Sequence, residues 1–192
     1  MKSSNNVNPM TREQALQLIK EKIQNQNLVK HSLAVEAIMK AMAKHLNQDV
    51  ESWSLAGLLH DIDYEETKDD PTVHTLKGGE MLTDLGLSDE IVHAVKAHNE
   101  VHGIERESML DKALYAVDPL SGFITAVALV YPSKKLADVK VKSIVKRLKE
   151  QRFAAGASRE GMKSIEEVGV EFSQFAEIGL KAMQGISDDL GL

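Results

Sequence analysis

There is no cysteine among the 192 residues, which excludes disulfides, a thiolate metal site and a cysteine nucleophile. Any metal has to be held by His, Asp or Glu. No stretch approaches the roughly 18 consecutive apolar residues that a membrane span needs. Met1 to Pro9 is polar, rich in Ser and Asn, with no apolar run behind its single Lys, unlike a secretory leader. A cytoplasmic protein without a membrane partner is therefore expected. Alternation of period two never persists long enough for a strand, and no internal repeat is visible. The expected fold is all-α.

Hydrophobic residues at 43% and charged residues at 27% place the chain among folded proteins rather than disordered ones. Its length suits a single domain spanning residues 1–192. The net charge of −6 conceals an asymmetry. From Lys134 to Lys163 ten basic residues face three acidic ones, and the rest of the chain is strongly acidic. Such a patch suits a small phosphorylated substrate better than a nucleic acid duplex, which needs basic residues spread over a broad face. The plainer alternative is a solvated helix face.

Helical spacing runs through almost the whole sequence. Thr11 and Gln14 have the spacing of a capping box, ahead of Leu16, Ile19 and Ile23. Leu28, His31, Val35, Ile38, Met39, Met42 and Leu46 form one apolar stripe. Trp53 to Ile62 is apolar on most sides and closes with His60 and Asp61, as for a helix buried in a bundle. Asp63 to Thr72 is charged and contains Pro71, so it reads as an exposed loop, after which Thr72 can cap a helix toward Gly86. Ser88 caps the next helix, on which Ile91, Val95 and His98 share a face. Ser108 to Asp118 forms another, which Pro119 should break or kink. Helices near Leu120–Val130, Val139–Phe153 and Ile165–Ile186 complete the reading.

The chemistry lies on these helices. A histidine on an apolar stripe, such as His31, is by itself more often a satisfied core residue than a ligand. His60 and Asp61, however, end the most apolar helix of the chain, where an unpaired imidazole and carboxylate would cost several kcal/mol to bury. A cation would satisfy both, and Asp118, on the stripe with Leu110, Leu114 and Tyr115, can supply a second carboxylate.

The order His31, then Gly57-Leu58-Leu59-His60-Asp61-Ile62, then Asp118 resembles the HD-domain superfamily of metal-dependent phosphohydrolases, over about Gln26 to Leu129. His74 with Gly78-Gly79-Glu80-Met81-Leu82, and Val95-Lys96-Ala97-His98, resemble the binuclear HDIG-type subgroup, although the doublet here continues Ile62-Asp63 rather than Ile-Gly. The resemblance implies an HD-like helical bundle over about 26–129, with a basic helical extension over about 130–192. It implies a first metal on His31, His60, Asp61 and Asp118, and a second on His74, His98 and a bridging, catalytic Asp61. The ligand set suits Fe, Mn, Co, Ni or Zn. The implied reaction is hydrolysis of a phosphate ester of a small metabolite or nucleotide by a metal-activated water. Lys77, Lys96, Arg147 and Arg152 are candidates for the outer phosphate oxygens, and His102 for proton donation to the leaving group. The same scaffold resembles di-iron oxygenases, and a non-catalytic metal-bearing regulatory module is the remaining alternative.

Overall fold

In a computed structural model that describes residues 9–192, the chain is helical throughout, with no strand among the described residues. The expected all-α class therefore holds; the polar segment up to Asn8 lies outside the described residues. The α-helices are α1 Arg12–Lys22, α2 Gln26–His45, α3 Val50–Leu59, α4 Tyr64–Thr67, α5 Leu76–Asp84, α6 Asp89–Ala97, α7 Met109–Val130, α8 Val141–Leu148, α9 Arg159–Lys163, α10 Phe172–Gln184 and α11 Ser187–Leu190.

Local sequence sets the helix starts. Thr11 closes a capping box with Gln14, as its spacing predicts, and Asn25, Asp49, Ser88 and Ser108 accept from first-turn amides of α2, α3, α6 and α7. α3 is the central rod, buried from Ser52 to Leu59. Its closest neighbour is α2, and Gly57 sets the approach: a Cβ there would sit 3.0 Å from Glu36 Cα and 3.1 Å from the Val35 carbonyl oxygen. One buried carboxylate ties the first three helices together. Glu36 on α2 takes Arg12 of α1 at 2.6 and 2.9 Å, Lys40 at 2.9 Å and the Ser54 hydroxyl of α3 at 2.9 Å.

Three expectations about boundaries change. Pro119 does not break α7, which runs unbroken through it. Proline costs a helix interior about 3 kcal/mol, and the burial of thirteen α7 side chains, Phe123 and Ile124 among them, outweighs that. By fusing, the two expected helices make one long and apolar enough to cross a membrane, contrary to the sequence reading; most of that stretch is buried in the core. Second, Ile165–Ile186 is not one helix: a 3-10 turn ends at Gly169 in a left-handed conformation, and α10 starts at Phe172. Third, the charged stretch after Ile62 is not all exposed, because Asp63 is fully buried.

Behind α7, α10 packs on both α2 and α8. Arg159 gathers the intervening turns: its guanidinium donates to the carbonyls of Glu150, Phe153, Ala154 and Ala157.

Candidate metal centre

α3 ends one residue before His60, so the doublet emerges at the tip of the most buried helix. His60 is fully buried and Asp61 is 8% exposed. α2 presents His31 to the same point, α7 presents Asp118, the turn before α5 presents His74, and the end of α6 presents His98. These six residues, all singled out in the sequence, converge.

The Asp61 carboxylate organises them. Its Oδ2 lies 3.5 Å from His31 Nε2 and 3.3 Å from His60 Nε2. Its Oδ1 lies 3.4 Å from both His74 Nε2 and His98 Nε2. Asp118 Oδ1 faces the first pair, 3.0 Å from His31 Nε2 and 3.7 Å from His60 Nε2.

Each histidine is oriented from behind. His60 Nδ1–H donates to the Gly57 carbonyl at 2.8 Å, and His98 Nδ1–H to the Val95 carbonyl at 2.7 Å. His74 Nδ1–H donates to Asp63 Oδ1 at 2.9 Å. The Ser121 hydroxyl donates to the Asp118 carbonyl at 2.9 Å and so accepts from His31 Nδ1–H at 3.1 Å. With all four Nδ1 atoms acting as donors, the four Nε2 atoms face the centre, with lone pairs in the neutral tautomer. His31 Nε2 and His60 Nε2 are only 3.1 Å apart. Facing lone pairs repel unless protons or a cation lie between them, and donor atoms about 2.0–2.2 Å from one ion are spaced about this far apart.

The electrostatics agree. Burial pulls the His31 imidazole down, but hydrogen bonds to Asp118 and Asp61 outweigh it and push it up to about 9. His74 is likewise pushed up to about 9, where burial is outweighed by hydrogen bonds to Asp61 and Asp63. Burial opposes ionisation of Asp61, yet the surrounding histidines hold it well below the usual carboxylate range. A carboxylate pair that raises the proton affinity of His31, His60 and His74 is a place where a cation can replace those protons. Three overlapping groups here have donor atoms close enough to hold a metal: His31 with His60 and Asp61, His60 with His98 and Asp118, and Asp61 with His74 and His98.

Two contributors escaped the sequence reading. Asp63 accepts the amides of Thr75 and Gly78, each at 2.8 Å, and so caps α5 in place of Thr72, whose amide and hydroxyl turn to Asp70. Gly78 lets it in, since a Cβ there would lie 3.1 Å from Asp63 Cγ. The local signal was the departure at Ile62-Asp63 itself. Ser121, three residues past Asp118, was the other.

The basic candidates fall elsewhere. Lys77 pairs with Glu66 on the surface. The Lys96 stem lies over Gly79. Arg147 pairs with Glu150 at 2.7 Å and stacks on Phe153, and Arg152 is exposed. His102 Nε2 lies 2.6 Å from the His74 carbonyl oxygen, which pins the loop that carries that residue.

Residues 28–150 match the profile of the HD domain family. The chain belongs to the HD domain family. Curated relatives within it include Ribonuclease Y of Lawsonia intracellularis, 34% identical over 131 residues, which is 68% of this chain and 23% of that protein. Ribonuclease Y of Fusobacterium nucleatum is 37% identical over 93 residues, 48% of this chain and 18% of that protein. Ribonuclease Y of Rubrobacter xylanophilus is 27% identical over 169 residues, 86% of this chain and 32% of that protein. The chain thus spans no more than about a third of the length of these relatives. Their name overturns one expectation. A small phosphorylated partner, with nucleic acid set aside, does not stand beside HD-domain relatives that are ribonucleases by name. The physical error lay in the criterion: a broad basic face is what a duplex needs, whereas a single strand needs only a narrow charged track.

Proposed function

We propose that this HD domain hydrolyses phosphodiester bonds in RNA. The observation that carries the proposal is the division of the Asp61 carboxylate between two histidine pairs, one oxygen to each. Two adjacent cation positions with a shared carboxylate match the demands of phosphoryl transfer, in which the attacking and the leaving oxygen both need stabilising. Sequence similarity to the ribonucleases supplies the substrate class.

In this reading His31, His60, Asp61 and Asp118 hold one metal ion, and Asp61, His74 and His98 a second. Iron, manganese, cobalt, nickel and zinc all suit the donor set. Such ions supply Lewis acidity toward a phosphoryl oxygen and lower the pKa of water. The chain's own residues do the rest. Asp61 would offset the charge of ions at both positions, one oxygen toward each histidine pair. Asp63, Ser121 and the carbonyls of Gly57 and Val95 keep every imidazole in the tautomer that offers Nε2. Asp118 is the more open of the two carboxylates, on the side from which a substrate can approach. Of the basic candidates, Lys77 and Arg147 are already paired, which leaves Lys96, two residues before His98, to be assigned to an outer phosphate oxygen.

The test is incubation of the full chain, loaded in turn with each of these metals, with a 5′-labelled single-stranded oligoribonucleotide. Shortened products are expected, and a chelator or Asp61→Asn should abolish them. Failure to cut with every metal would overturn the proposal.

A further inference from the structure

α7 continues beyond Asp118, and its next turns face a groove. Asp118, Gly122, Thr125 and Leu129 follow at spacings of four, three and four, which puts them on one face of the helix. Across from Gly122, Thr125 and Leu129 stand Lys30, His31 and Ala34 of α2, Leu190 to Leu192 at the end of α11 form a third side, and the groove so bounded encloses about 460 Å³. That lies within the roughly 300–1,000 Å³ of small-molecule sites. His31 belongs both to this wall and to the histidine cluster, so the groove opens directly off the centre.

Gly122 is the unusual residue. Glycine is less favourable than alanine inside a helix, so packing normally has to justify it. At Gly57, Gly78, Gly79 and Gly179 a Cβ would press on neighbouring atoms, but at Gly122 it would meet nothing within 4 Å among the described residues. No contact among them explains the missing side chain. What it leaves is bare backbone on the groove floor, one residue past the serine that orients His31. Leu129, at the far end of the same floor, is 49% exposed. A floor bare of side chain at Gly122, an apolar end at Leu129, one cation in Lys30 and a hydroxyl in Thr125 together fit a planar base with its sugar and phosphate.

Resting on the RNA-hydrolysis reading, we infer that this groove seats the nucleotide next to the scissile phosphate, with the base over Gly122 and the neighbouring phosphate at Lys30. A base held there is splayed out of any helix, so the groove selects single-stranded RNA. Gly122 is then a specificity-determining residue, since any larger side chain fills the space meant for the base.

Binding isolates this claim from cleavage. The full chain is titrated, in chelator so that nothing is cut, into a 5′-fluorescein single-stranded oligoribonucleotide while anisotropy is followed. Gly122→Phe should weaken binding at least tenfold, Gly122→Ala less, and Lys30→Gln several-fold. Melting temperature and metal content of the variants report on fold and centre; should Gly122→Phe not fold, Thr125→Trp fills the same groove from a half-buried position. Wild-type affinity in Gly122→Phe, or in Thr125→Trp where that variant replaces it, would overturn the inference while leaving RNA cleavage standing. So would equal affinity of the wild type for a duplex of the same sequence, or no binding at all. Binding that the variants weaken, in a wild type that never cuts RNA, would support the groove and sink the catalytic reading instead.

Discussion

Asp61 and Asp63 are two residues apart and work in opposite directions. Asp61 turns its charge to the centre, where His31, His60, His74 and His98 surround it. Asp61→Asn keeps the shape and removes the charge, so the fold should persist while metal affinity falls by more than the 10- to 100-fold typical of an outer hydrogen-bond partner. In the wild type, stripping metal held at 100 times its Kd should remove about 2.7 kcal/mol, or about 5–10 °C of melting temperature. Asp61→Asn should show little such drop, and a full one would show that Asp61 is not a ligand. Asp63 faces away from the centre, to two amides and to His74. Asp63→Ala leaves those buried donors unpaired and should cost about 1–3 kcal/mol in a denaturant melt. The same variant should load one metal normally and the second 10- to 100-fold more weakly, as read by metal titration; unimpaired uptake of both would remove Asp63 from the centre. Asp61 was legible in the sequence because the doublet closes an apolar helix. Asp63 was not, because it opens a charged stretch and its burial depends on amides 12 and 15 residues further on, a relation that no local period contains.

Among the elements, those with a clear apolar stripe or a capping residue were legible: α1 and α6 begin where Thr11 and Ser88 place them, and α2 carries the stripe that includes His31. Legibility failed where local and tertiary forces compete. Pro119 argues locally for a break, but the core on both sides of it holds α7 continuous. In the Ile165–Ile186 stretch the apolar pattern continues through Gly169, whose left-handed φ of 82° admits a turn that hydrophobic periodicity does not register. The α2–α3 pair is the tightest element contact, and Gly57→Ala tests it. The new methyl would have to displace α2 backbone as well as the flexible Met39, so a loss of about 1–3 kcal/mol is expected. A neutral or stabilised variant would mean that α2 yields freely and that His31 is not held by this packing.

For the molecule as a whole, Glu36 is the junction of α1, α2 and α3. Burial pushes its carboxyl up, but the hydrogen bonds and charges of Arg12 and Lys40 prevail and hold it below its ordinary value of 4.5. A carboxyl depressed in the folded state stabilises fully above that ordinary value, and the stabilisation is lost as pH falls through the folded value. The stability gap between wild type and Glu36→Gln should therefore be widest near pH 7 and shrink below about pH 4.5. Denaturant melts at several pH values check this, and a gap that widens on acidification would refute it. The substrate was the least legible property. Net charge and the basic run speak to how phosphate is attracted, and Arg147 and Arg159 spend part of that run on Glu150 and on backbone carbonyls. The shape that distinguishes one phosphoester from another arises only when α2 and α7 meet.

The unbroken α7 also bears on biogenesis. α2, α3 and α6, which cover one side of it, precede it in the chain, but α8 and α10 are made afterwards, the latter finishing roughly 50 residues later. At about 5–20 residues per second of synthesis, this long apolar helix waits about 3–10 s for its second cover. During that interval the nascent chain displays a surface that chaperones and membrane-insertion machinery are built to detect, and ribosome-bound intermediates ending between Val130 and Phe172 should be the species that holdase chaperones retain longest.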